Sequence, residues 1–401
     1  MDNLILPVWP LPLNDTMRIA LALVIAGLAG EGLNRFVRVP RVSGYSLAGL
    51  LLGPLMLGWF GVHNIGSFRI VIDLALALLL FELGNRVDLH WLRVNPWIVP
   101  ASIAEAGLTF VGVFTVLRLL DATPGLAATV AAIAIGTSPA VVMRVAAELR
   151  AEGQVTQRLF VLTALNVLYS VVLSKLIVGG MHGAFRGDWS AAILHPAYLL
   201  LGSLLMGIAI AMAFRFLRGG FDLSDEQTVV ILFGLLLLSL SLLQALALPT
   251  MLAPLLAGVM VKNSDRRPIL WPRHFGSAGG VLVILLFVLT GATLTSSEMT
   301  TGGLAALAVI AVRVLGKGIG IALFGPVSGL SMRQVFALGA ALMPMSAVAF
   351  LLVDDIRNLY PEFGVQVGAI VLSMVAVLQL AGPIGVQWAL RFSNESNERG
   401  R

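Results

Sequence analysis

Residues 136–149 read GTSPAVVMRVAAEL, and residues 341–350, in the other half of the chain, read ALMPMSAVAF. Each stretch interrupts a long apolar run: Gly136, Thr137, Ser138 and Pro139 break the first, and Met343, Pro344, Met345 and Ser346 break the second. A proline removes one amide donor and clashes with the preceding turn, so each helix must loosen there and expose backbone carbonyls and amides. Lipid cannot satisfy those groups, so such breaks persist only against protein or a water-filled cavity. Matched breaks in two halves point to a substrate site near the midplane of a secondary transporter.

Composition sets the class. Of 401 residues, 58% are hydrophobic and 12% charged, far from the roughly 45–50% apolar and 25% charged of soluble domains. The chain is therefore read as an all-α polytopic membrane protein whose partner is the lipid bilayer. There is no cysteine, and the five histidines form no ligand pair at helical spacing, so disulfides, thiolate metal sites and a histidine metal site are not expected. No cofactor is implied. The formal charge of +5 comes from basic residues scattered through short loops, a pattern of membrane topology and not of nucleic-acid binding. No serine, histidine and aspartate set stands at a usable spacing, which removes the enzyme reading.

Apolar runs of about 20 residues place spans at 16–36, 40–60, 67–86, 96–119, 125–149, 155–179, 196–217, 227–247, 249–262, 275–294, 302–325, 332–353 and 363–390. That is thirteen spans, with 227–261 read as two helices joined by a short turn at Leu248, Pro249 and Thr250. With the N-terminus outside, and residues near a span end counted with their loop, the inside holds 18 of the 26 Lys and Arg. The outside holds 5, and Lys175, Arg313 and Lys317 lie in spans. This asymmetry puts the C-terminus in the cytoplasm. The opening MDNLILPVWPLPLND lacks a basic leader, so the first span is expected to be retained, and one transmembrane unit over 1–401 without a soluble domain is expected.

An ionisable side chain inside a span is a functional candidate by default. Lys317 lies mid-span among Gly316, Gly318 and Gly320, which allow another helix to approach. Such a lysine can lose and regain a proton if no carboxylate holds it charged; the alternative is a lysine that only neutralises carbonyls at a helix break. Arg313, one turn earlier, keeps its proton and is read as making a structural pair or carbonyl contacts. Asp73 has no evident local partner and is a candidate for an ion pathway, whereas Glu82 and Arg86, four apart, read as a pair. Glu105 is isolated in the fourth span and is the best carboxylate partner for Lys317. In the sixth span, Thr163, Asn166, Tyr169 and Ser170 recur at three and four residues and form a polar stripe on one face, suited equally to an ion site and to interhelical packing. Lys175, beyond it, is expected to reach the outer interface.

The chain resembles the bacterial monovalent cation:proton antiporter superfamily, especially its second group of sodium/proton and glutathione-gated potassium exchangers. The resemblance rests on GYSLAGLLLGP (44–54), DLALALLLFELGNRVDL (73–89), GTSPAVVMRVAAEL (136–149), LAPLLAGVMV (252–261), LLFVLTGATL (285–294) and VRVLGKGIGIALFG (312–325), in that order. It implies an inverted-repeat fold with two crossed, broken helices, a mobile core and a panel-like dimer domain, hence a homodimer. It also places Thr137 and Ser138 in the ion site and Lys317 on the intramembrane lysine. The chain departs from the family's sixth span, where acidic or amide residues stand nine and ten positions after the basic start. Counted from Arg158 those positions are Val167 and Leu168, and Asn166 is one residue early, a rotation of about 100°. In the second break, relatives carry an arginine-glycine-glutamate run where this chain has Met345, Ser346 and Ala347.

Three readings follow. The first is a sodium or potassium/proton antiporter with relocated titration, in which Lys317 switches charge while Asn166, Thr137, Ser138 and backbone carbonyls line the site and Pro139, Pro344 and Ser346 shape it. The second is an anion or weak-acid transporter, suited to a site with a lysine, helix N-termini and no acid. The third is a membrane sensor or subunit that transports nothing.

Overall fold

Caps and prolines set the helix ends. In a computed structural model that describes residues 14–60, 68–186, 189–221, 225–264, 275–345 and 347–397, the helices in chain order are α1 (Asp15–Gly32, prolonged by a π turn to Val37), α2 (Arg41–Leu52), α3 (Arg69–Gly84), α4 (Leu89–Val94), α5 (Ile98–Leu119), α6 (Pro124–Ile135), α7 (Pro139–Glu148), α8 (Gln154–Arg186), α9 (Trp189–Phe221), α10 (Asp225–Ala245), α11 (Leu252–Ser264), α12 (Phe275–Gly291), α13 (Ser296–Phe324), α14 (Met332–Ala341), α15 (Ala347–Leu359) and α16 (Pro361–Phe392). Asn14, Thr123, Ser138, Thr295 and Ser331 each accept a bond from a first-turn amide. Thr295 with Glu298, and Ser331 with Gln334, close reciprocal capping boxes. Pro124, Pro139 and Pro361 sit in first turns, where the missing amide costs nothing.

Each expected span has its helix or broken pair. Among the described residues, eight helices are long and apolar enough to cross a membrane, counting α6 with α7 as one. The other five expected spans correspond to the shorter α2, α3, α11 and α12 and to the broken pair α14 and α15. The second span is shorter than expected because Gly53 and Pro54 end α2 at Leu52 and turn the chain. The short α4 was not anticipated; Asp88 caps it, accepting from the amides of His90 and Trp91.

Packing sorts the helices into two groups. One gathers α5–α8 and α13–α16 around the breaks, with α5 against α13 as its principal contact; the other joins α1–α3 to α9–α12. Taking α9 as the link, six spans precede it and six follow. The fourth of each set, α5 and α13, carry Glu105 and Lys317, and the fifth of each set is broken. Helix ends also meet in two sets, as an alternation of thirteen spans requires. Arg69 of α3 binds Asp355 of α15 (3.2 Å), which also binds Lys175 of α8 (2.8 Å). In the opposite set, Arg41 of α2 binds Glu148 of α7, Asn263 of α11 binds the carbonyl of Val87, and Glu395 after α16 accepts from the amides of Val155 and Thr156.

Candidate functional site

The site grows from the two breaks. α6 ends at Ile135, Gly136–Ser138 leave the helix, and Ser138 starts α7 by accepting from the amide of Val141. α14 ends at Ala341, and Met343–Met345 are non-helical before α15. The breaks cross and bond to each other: the Ser138 amide donates to Pro344 O (2.9 Å), and the Thr137 hydroxyl donates to Leu342 O (3.2 Å). Pro139 and Pro344 thus flank the crossing. Ser346 lies outside the described residues.

Two fully buried cations from one face of α13 serve this crossing. Arg313 donates through Nε to Ala134 O (2.7 Å), through Nη1 to Met343 O (2.6 Å) and through Nη2 to Gly136 O (2.8 Å), tying both breaks together without a carboxylate. These carbonyls belong to helix C-terminal ends, which carry partial negative charge. One turn on, the Lys317 ammonium donates to Glu105 Oε1, to Ile135 O (2.9 Å) and to Thr137 Oγ1 (3.3 Å). Three N–H groups therefore meet three acceptors. The pair is 0% exposed on both sides. It forms because α5 and α13 touch closely: a Cβ added at Gly320 would fall on the Glu105 backbone, and one at Gly316 on the Thr109 backbone.

Asn166 of α8 completes the cluster, its Nδ2 donating to Glu105 Oε1 (3.2 Å) and to Thr137 Oγ1 (3.1 Å). The amide orientation follows from its neighbours, since Glu105 accepts and Thr137 spends its own proton on Leu342 O. The rest of the α8 stripe faces protein: Ser170 donates to Ile133 O (3.4 Å), and Tyr169 accepts from Ser102 of α5 (3.3 Å). Four oxygens in this region, Glu105 Oε2, Thr109 Oγ1, Thr163 Oγ1 and Asn166 Oδ1, are buried without a hydrogen-bond partner.

The structure thus brings together Lys317, Glu105, Asn166, Thr137 and Ser138. It does not bring Asp73 to them. Asp73 accepts from Gln244 of α10 (3.2 Å) and lies 3.8 Å from Arg69, which also binds Asp354 and Asp355. Lys175 does not stand free at an interface but is held by Asp355. Glu82 and Arg86 pair at 3.9 Å. Sequence reasoning missed Ser102 and Thr109, although Ser102, Glu105 and Thr109 recur at three and four residues, the spacing that exposed the α8 stripe. Strong hydropathy around them hides the pattern.

The assembled geometry has relatives. The chain matches the family described as "Sodium/hydrogen exchanger, transmembrane" over residues 19–391. No curated protein matches it in sequence. Two structures of the sodium proton antiporter MjNhaP1 from Methanocaldococcus jannaschii share the fold. One, at pH 8, is 18% identical with a TM-score of 0.75 over 94% of this chain and 97% of that chain. The other, from electron microscopy, is 18% identical with a TM-score of 0.76 over 96% and 97%. With crossed breaks, an intramembrane lysine and a family match spanning nearly its whole length, this chain belongs to the sodium/hydrogen exchanger family and is a multi-pass membrane cation/proton antiporter, not an enzyme.

Proposed function

We propose that the protein exchanges sodium or potassium for a proton by alternating access, with Glu105 and Lys317 as the charge-switching pair. The observation that carries this reading is the buried ion pair at the crossing, with Thr137 and Asn166 bonded to it. While Lys317 is protonated its ammonium occupies the Glu105 carboxylate. When Lys317 releases its proton to one side of the membrane, the carboxylate can take a cation in place of the ammonium, and the pocket keeps its charge. After the core moves, proton uptake by Lys317 from the other side expels the cation. The carboxylate that relatives carry on the sixth span is supplied here from α5. Glu105 also removes the premise of the anion reading, which required a site without acid.

The α5–α8 and α13–α16 group is the moving core in this scheme, and α1–α3 with α9–α12 form the side on which a homodimer is built. The N-terminus lies outside and the C-terminus in the cytoplasm of a bacterial inner membrane; the gathering of helix ends into two sets supports this alternation. Proton flux in vesicles under sodium, potassium, lithium and chloride gradients tests the function. Cation-driven flux in the wild type that is lost in Lys317→Ala is the expected result. Flux driven by chloride, or no flux under any gradient, sinks the proposal and favours the anion carrier or the sensor.

A further inference from the structure

Resting on the alternating-access reading, we propose that ion pairs at the two ends of one boundary set which way the core faces, with Arg69 and Glu148 as the positioning residues. The boundary runs between α5–α8 with α13–α16 on the core side and α1–α3 with α9–α12 on the other. Among the described residues, the ion pairs that cross it are those of Arg69 with Asp354 and Asp355 and of Arg41 with Glu148. They stand at opposite ends of the molecule. At the end assigned outside, Arg69 of α3 bridges both aspartates of α15, and Asp355 is also held from within the core by Lys175 of α8. At the end assigned inside, Glu148 of α7 accepts from Asn34 Nδ2 (2.8 Å), from the Arg41 amide (3.2 Å) and from Arg41 Nη1 (3.4 Å).

Helix stability does not explain these residues. Arg41 and Arg69 are the first residues of α2 and α3, and Glu148 is the last of α7. A cation at a helix N-terminus and an anion at a C-terminus both oppose the helix dipole, so each charge is set against its own helix and is compensated across the boundary. Each pairing also borders a cavity on that boundary. Lys175 and Asp355 face Arg69 and Gln244 around about 570 Å³ at one end, and Arg144 and Glu148 face Arg41 and Val42 around about 280 Å³ at the other. The pairs suit repeated breaking. The side chains of Arg69 and Asp354 are 37% and 32% exposed, so water can replace each partner, whereas Glu105 and Lys317 at the crossing are 0% exposed. When Arg69 leaves, Lys175 still holds Asp355. Rocking of the core parts one set of pairs while the other stays closed, and the strength of each set weights the two open states.

The test reads the two ends separately on the full-length purified protein. The chain has no cysteine, so Val178→Cys and Val283→Cys, each replacing a buried residue in the wall of one cavity, serve as reporters. Their rates of modification by a hydrophilic maleimide are measured in detergent, beside sodium-driven proton flux in vesicles. Arg69→Gln should speed labelling at position 178 about threefold to fivefold with no gain at 283, and Glu148→Gln should do so at 283 with no gain at 178. Arg69→Lys, which keeps the charge, should return the rate at 178 toward wild type. Loosened packing would instead speed both reporters together. Equal gains at the two ends, or rates within about 1.5-fold of wild type in both variants, would overturn the proposal. Labelling in detergent needs no transport. End-specific gains in a protein that moves no protons would therefore leave the ion pairs standing and remove the exchange reading, and sodium-driven flux with unshifted labelling would do the opposite.

Discussion

Arg313 and Lys317 stand one turn apart on α13, are equally buried, and do different work. Arg313 has no acid and is satisfied by carbonyls of both breaks; removing it strands several buried acceptors at about 1–3 kcal/mol each. Arg313→Ala is therefore expected to lower the melting temperature sharply or prevent folding, read as loss of a monodisperse peak in detergent. Lys317 faces the carboxylate of Glu105, and breaking a buried pair from one side costs about 3–5 kcal/mol, whereas replacing both partners with apolar groups can be neutral. Thermal unfolding should then show Glu105→Leu and Lys317→Met each destabilising, and the double variant closer to wild type than either, while sodium-driven flux is absent from all three. A double variant as unstable as the sum of the singles would mean that the pair is not coupled. Much of this was legible in the sequence: Lys317 as the central cation, Glu105 as its best partner and Arg313 as structural, though the sequence did not decide whether it would meet an acid or carbonyls. Asp73 was not: Gln244 comes from α10, far off in the chain, and Arg69, four residues before Asp73 on α3, stands at the same spacing as Glu82 and Arg86 but was passed over.

At the scale of elements, glycine spacing on α13 decides where Lys317 can go. Gly316 and Gly320 face α5, so that Cβ atoms there would strike the Thr109 and Glu105 backbones, while a Cβ at Gly339 of α14 would come 3.2 Å from Gly318. The glycines around Lys317 thus serve two neighbours, a distinction that their presence in the sequence did not make. Gly320→Ala must push α13 away from α5, an overpacking cost of about 1–3 kcal/mol. It is expected to reduce both melting temperature and exchange, whereas Gly303→Ala on the same helix, with open space around it, should leave both unchanged. Equal effects at the two positions would separate the close helix approach from function. The breaks themselves were readable because proline and glycine act locally. Helix ends set by capping were less so: α13 begins at Ser296, earlier than the apolar run, because Thr295 and Glu298 cap each other.

For the whole molecule, the orientation proposed above is argued from charge, since the lysine and arginine of short loops set topology. The internal contacts respect this division: Arg69, Lys175, Gln244 and Asp355 line one cavity of about 570 Å³ at the end assigned outside, and Arg41, Arg144 and Glu148 line another of about 280 Å³ at the opposite end. Three carboxylates, Asp73, Asp354 and Asp355, surround Arg69 at the first end, and Asp355 also holds Lys175. The second end, the one assigned inside, is where positive charge predominates. Because the chain contains no cysteine, single cysteines can report sidedness without a background. Arg93, Lys262, Thr301 and Glu362 are all exposed, and replacement of each by cysteine disturbs no capping bond. In intact cells a membrane-impermeant maleimide should label positions 301 and 362, and reach 93 and 262 only after the membrane is opened. Full reversal would place the N-terminus inside and the larger cavity on the cytoplasmic face. A mixed pattern would break the alternation itself, since Arg93 and Thr301 are separated by a number of crossings that only the thirteen-span order makes odd.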